Sequence, residues 1–167
     1  MKRLIYLSVL VLAACGCGAK EGADTKAAAD STSVTPAFMA GRIHAMEDSI
    51  FEKPAFDRRG AVALLDVYKA YAKAYPLDSL APEYLVRAAG IQRNLKDPQA
   101  AVDIYDRVIR DYPNWPDVVA CYYQKALIYQ DDMKELGKAK QAYEEVIQRF
   151  PDHTFGKEAK VMIDNLQ

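Results

Sequence analysis

Histidine occurs only twice in these 167 residues, tryptophan once and cysteine three times. A metal centre needs three or four ligands at set spacings, and His44 and His153 leave little from which to build one. His44 and Glu47, three apart on an expected helix, amount to a pair of ligands and no more. The patterns G-x-x-x-x-G-K-[ST], G-x-S-x-G, H-E-x-x-H and C-x-x-C are all missing, which removes the phosphate loop, the nucleophile elbow, the zinc-protease helix and the redox dithiol. Basic and acidic residues nearly balance, 22 against 23, so no basic excess marks a nucleic-acid partner. Only Cys121 lies beyond residue 17, so no disulfide can staple a fold there. These shortages exclude the common enzyme classes and point to no metal and no cofactor.

The apolar run from Leu4 to Ala14 is too short to span a bilayer, which takes about 20 residues. Lys2 and Arg3 precede it and small residues close it, the order of a bacterial secretory signal peptide. Leu12, Ala13, Ala14 and Cys15 resemble the lipobox of bacterial lipoprotein precursors at all four positions. That resemblance implies cleavage before Cys15, a thioether-linked diacylglycerol on its sulfur and an acylated new amino terminus. Two or more acyl chains hold a protein stably on a membrane where one does not. Gly16, rather than Asp, follows the cysteine, and by the same resemblance the outer membrane is the expected address, with the leaflet open. Cys17 is left as a free thiol in the tether.

Residues 1–14 therefore read as a lipoprotein signal peptide, 15–35 as the lipidated cysteine with a flexible linker, and 36–167 as one helical domain. The linker is rich in Gly, Ala, Ser, Thr and charge and cannot bury enough surface to offset its ordering entropy. At this length it would hold the domain roughly 25 Å from the membrane. Thr35 followed by Pro36 suits a helix N-cap with proline at the first helical position.

From there on the joints recur. Tyr75-Pro76, Tyr112-Pro113 and Phe150-Pro151 are spaced by 37 and 38 residues. Eight before each proline stand Tyr68, Tyr105 and Tyr143; five before it, Tyr71, Val108 and Val146; twelve before it, Leu64, Ala101 and Ala139. Upstream, Tyr84, Ala88 and Ile91 return as Tyr122, Ala126 and Tyr129. All these spacings are helical, with no strand-like alternation. Small residues at 88, 101, 126 and 139 let paired helices approach closely, aromatics fill the space between, and proline stops the second helix.

This pattern resembles the tetratricopeptide repeat over about residues 36–167. Arg87 and Lys125 stand where the family usually has leucine. The resemblance implies an all-α helical solenoid of about three helix-turn-helix repeats closed by a capping helix. The expected spans are 36–52 with 58–75, 80–95 with 98–112, 115–131 with 135–150, and 154–166. On the last, Phe155, Ala159, Met162, Ile163 and Leu166 share an inner face, as a solenoid cap requires. Cys121 falls where such repeats take a small buried residue. Trp115, in the joint PNWP, reads as a packing residue rather than a ligand anchor. His153, Arg58-Arg59 and Asp131-Asp132 read as solvated.

Stacked repeats of this kind present a groove lined by their first helices. One residue past the core positions, Leu85, Ala89 and Gln92 in one unit and Tyr123, Leu127 and Gln130 in the next form the expected peptide-contacting set, with Arg93 at its edge. The resemblance extends to small repeat lipoproteins of the bacterial envelope, such as the outer-membrane assembly lipoprotein and the repeat domain of the cell-division coordinator beside the Tol-Pal system. It implies a non-enzymatic scaffold for an envelope protein or peptide, tethered through its lipid. The competing expectation is an accessory lipoprotein that binds a small solute or carbohydrate for uptake.

Overall fold

Each second helix ends in the same backbone conformation. Tyr75, Tyr112 and Phe150 have φ of −128°, −131° and −135° with ψ of 61°, 52° and 54°. The proline that follows each one excludes the helical region for the residue before it. Their N–H groups still donate back four residues, to Tyr71, Val108 and Val146. Their carbonyls then accept from Asp78, Trp115 and His153, closing three like turns. The periodicity seen in the sequence is thus a periodicity of backbone geometry.

A computed structural model of the chain describes residues 34–52 and 57–166. The expected signal segment 1–14, Cys15 and the linker up to residue 33 lie outside the described residues. The compact unit begins at Val34. Among the described residues it holds seven α-helices and no strand: α1 Pro36–Phe51, α2 Arg58–Ala74, α3 Leu80–Asn94, α4 Pro98–Asp111, α5 Val118–Leu127, α6 Leu136–Arg149 and α7 Thr154–Asp164. Each packs chiefly on its sequence neighbours, the arrangement of a helical solenoid. No described helix is long and apolar enough to cross a membrane.

Helix starts follow the local chemistry. Thr35 accepts from Phe38 N at 3.2 Å, Asp57 from Gly60 N at 2.9 Å and Asp97 from Ala100 N at 3.1 Å, with Pro36 and Pro98 inside the first turn. Each such cap is worth about 1 kcal/mol. His153, expected to be solvated, is exposed but also caps α7, its Nδ1 accepting from Phe155 N at 3.1 Å. Gly156 sits against the preceding turn, where a Cβ would lie 2.0 Å from the Phe150 carbonyl oxygen.

The repeat positions read from the sequence lie in the core. Ala88, Ala101, Ala126 and Ala139 are completely buried, as are Leu64, Tyr71, Val108, Tyr143 and Val146. Burial of a large apolar side chain contributes roughly 1.5–3 kcal/mol, and the four alanines set the distance at which their helices meet. Tyr84 stacks on Tyr68 with centroids 5.3 Å apart and meets Tyr71 edge-on at 4.7 Å.

The structure departs from expectation in the fifth helix. Residues 115–117 belong to the joint, and α5 starts only at Val118. After Leu127 it widens into a π-turn, Ile128–Asp132. The loops that follow α3 and this π-turn carry Lys96 and Lys134 at φ of 67° and 59°. Asp97 N donates to the Gln92 carbonyl and Glu135 N to that of Tyr129, so each lysine sits where a helix terminus usually takes glycine.

Candidate protein-binding face

The seven groove residues expected from the sequence separate into two sets. Leu85 and Ala89 have no exposed surface and belong to the core. Tyr123 is buried as well, its ring stacked on Phe155 of α7 with centroids 4.8 Å apart. These three form the floor beneath the face and offer a partner nothing to touch as the fold stands. Gln92, Arg93, Leu127 and Gln130 are half-exposed and remain its surface residues.

Two of the four are held in place. Tyr143 donates its hydroxyl to Gln130 Oε1 at 2.8 Å, which orients the amide from the neighbouring helix α6. Arg93 donates from Nε to Asp132 Oδ2 at 2.5 Å, with Asp131 4.0 Å away. Asp131 and Asp132, read from the sequence as solvated, thus receive Arg93 across two repeats. Lys96 and Pro98 complete a polar cleft of about 390 Å³ around this pair. The π-turn makes the geometry: it carries both aspartates beyond the regular end of α5. The face is mixed in character, with one apolar side chain, two amides and an ion pair.

Sequence reasoning did not anticipate what Arg87 and Lys125 do. Both stand at the same repeat position, and both lie over the tyrosine three residues earlier, Tyr84 at 5.8 Å and Tyr122 at 5.9 Å from the ring centroids. Arg87 reaches Glu47 on α1 and Glu83 on its own helix, each at 2.5 Å. Lys125 reaches Asp106 on α4 at 3.0 Å and Glu145 on α6 at 3.7 Å. Leucine would add to the apolar seam at this position; the cations instead tie successive helices together by charge. Their spacing of 38 was the available signal, but it carries no information about which carboxylate answers it.

Glu47 is the hub of the first tie. It is 8% exposed and accepts from the Tyr68 hydroxyl, from Arg87 and from His44 Nδ1 at 3.1 Å. Burial pushes its carboxyl up, but the hydrogen bonds from Tyr68 and Arg87, the guanidinium charge and His44 outweigh it and hold the group below its ordinary value. The His44–Glu47 pair considered as two metal ligands is spent on this network. Among the described residues no three His, Cys, Asp or Glu side chains cluster as metal ligands. Cys121 is completely buried, and burial together with the Asp117 carboxylate pushes its thiol up to about 12, so it is a packing residue and no nucleophile at neutral pH.

Stacked helix pairs with proline joints, a buried small-residue seam and an exposed polar-apolar face define a helical repeat protein. Residues 83–114 and 120–153 match the tetratricopeptide repeat family model. They correspond to α3 with α4 and to α5 through α6, so these two helix pairs match tetratricopeptide repeats within an all-α helical-repeat fold. No curated protein matches its sequence. Repeats of this family are protein-interaction modules.

Proposed function

We propose that this chain is a non-enzymatic scaffold of the bacterial cell envelope, anchored through a lipid on Cys15 and binding a protein or peptide across the face of α3, α5 and the π-turn. One observation carries the binding part. At the half-exposed positions Gln92, Arg93, Leu127 and Gln130, two successive repeats place apolar and hydrogen-bonding groups over a fully packed floor. A pre-formed surface of this kind binds without a large ordering cost.

The anchoring part is supported by the order of basic start, apolar run and Leu12-Ala13-Ala14-Cys15. That motif and Gly16 are what support the envelope and, within it, the outer membrane as its place. The envelope assembly machinery is the setting in which such a tethered scaffold would act.

Pull-down of the intact chain from detergent-solubilised membranes, beside a Leu127→Asp variant, tests the binding face. The expected result is an envelope protein retained by the wild type and lost with the variant. Equal recovery from both would remove the face from the proposal. Cys15→Ala tests the anchor independently, and continued incorporation of labelled fatty acid into that variant would show that Cys15 is not the lipidated residue.

A further inference from the structure

A second surface lies at the joints, away from the residues of the α3–α5 face. The turn after α2 and the turn after α4 enclose a cleft of about 530 Å³, within the range of small-ligand sites. Its walls are Pro76 and Leu77 from the first turn, Pro82 from the start of α3, and Tyr112, Pro113 and Trp115 from the second turn. Leu77 is fully exposed at the rim. Four prolines, Pro116 included, fix the backbone of both walls, so the cleft is formed before anything enters it.

The charge in this cleft has one sign. Asp78 and Asp111 line it, and no lysine, arginine or histidine does. Asp111 is already engaged by Arg107 at 3.3 Å and Arg110 at 3.0 Å. Asp78 has Oδ1 occupied by Leu80 N at 2.9 Å and its carboxylate also faces the Tyr71 hydroxyl, while among the described residues no basic side chain is paired with it. An occupant complementary to these walls has an apolar stem to lie against the proline rings and a cation to set beside Asp78 and the aromatic rings, where indole is the most favourable face.

We propose that the joint cleft is a docking site for a lysine or arginine side chain of a peptide partner, flanked by apolar residues that cover Leu77. It is independent of the α3–α5 face and would let one scaffold hold two chains, or one chain at two points.

Trp115 is the only tryptophan of the protein, so its emission reports on this cleft directly. The full chain in detergent is titrated with acetyl-Pro-Leu-Lys-Leu-Pro-amide, with the same peptide carrying norleucine or glutamate for lysine, and with N-acetylglucosamine. The lysine peptide is expected to shift the emission saturably. The norleucine peptide, which keeps the stem and loses the charge, should bind at least fivefold more weakly, and the glutamate peptide should give no saturable change. Asp78→Asn keeps the acceptor for Leu80 N and should weaken the lysine peptide at least fivefold. Leu77→Ser, at a position that touches no core, should weaken it as well. Equal binding of the lysine and glutamate peptides, indifference to both variants, or no saturable response to the lysine peptide would overturn the proposal. Saturation by the sugar alone would make this a carbohydrate site and overturn it too.

Discussion

Glu47 illustrates how much a single side chain can organise. Its carboxylate gathers Tyr68 of α2, Arg87 of α3 and His44 of α1, so its removal leaves a buried hydroxyl without its acceptor and a guanidinium with only Glu83. Hydrogen bonds to charged groups contribute about 1.5–3 kcal/mol each, and the half-exposed Arg87 discounts that. Glu47→Ala should therefore cost about 2 kcal/mol in denaturant titrations, and a double-mutant cycle with Arg87→Met should show coupling above about 0.5 kcal/mol. Because the carboxyl is held below its ordinary value of 4.5, its contribution is present above that pH and is lost as pH falls through the depressed value. The stability gap between wild type and Glu47→Gln should close on acidification. Two glycines make an opposite pair. Gly156→Ala drives a methyl into the Phe150 carbonyl and should cost more than about 2 kcal/mol, as sterically strained sites do. Gly41→Ala meets nothing within 4 Å in mid-helix and should gain about 0.5–1 kcal/mol by thermal melting.

At the scale of elements, the helices were legible where the chemistry of their ends is local. Thr35-Pro36 and the three aromatic-proline joints fix starts and stops without reference to the rest of the chain. The π-turn was not legible, because nothing in the residue types of Ile128–Asp132 separates the five-residue bond from Met133 N to the Ile128 carbonyl from an ordinary helix end. The groove was legible in direction but not in depth. Counting one residue past Tyr84 and Ala88 gives the angle around the helix, while the burial of Leu85 and Ala89 depends on how closely the repeats stack. The left-handed lysines offer a test at this scale. A non-glycine residue in that conformation costs roughly 1–2 kcal/mol, offset in part by the greater freedom of glycine in the unfolded chain. Lys96→Gly should raise stability by about 0.5–1 kcal/mol, read from the shift of the denaturant midpoint.

From Val34 onward the described helices are a stack of nearest neighbours, so stability is graded along them. Helix α1 packs chiefly on α2 alone, while α3 and α4 are covered on both sides. Amide hydrogen exchange should accordingly be fastest in α1 and slowest in α3 and α4. The abundance of buried tyrosine sets the alkaline limit. Burial and the neighbouring Cys121 push Tyr105 from 10.0 up to about 12, and Cys121 itself rises from 9.0 to about 12. Groups raised in the folded state leave stability intact below their unfolded values and withdraw it as pH climbs toward the folded ones. Unfolding free energy should thus fall between about pH 9 and 12, and Cys121→Ala should delay that fall.

The proposed function depends on a partner seated across α3, α5 and the π-turn. Site-specific photo-crosslinking in intact cells tests it, with a photoreactive amino acid placed singly at Gln92, Leu127 and Gln130, and at the exposed Asp103 on α4 as a control. One common crosslinked band is expected from the three face positions and none from Asp103. Crosslinks absent from the face, or as strong from Asp103 as from Leu127, would rule that placement out.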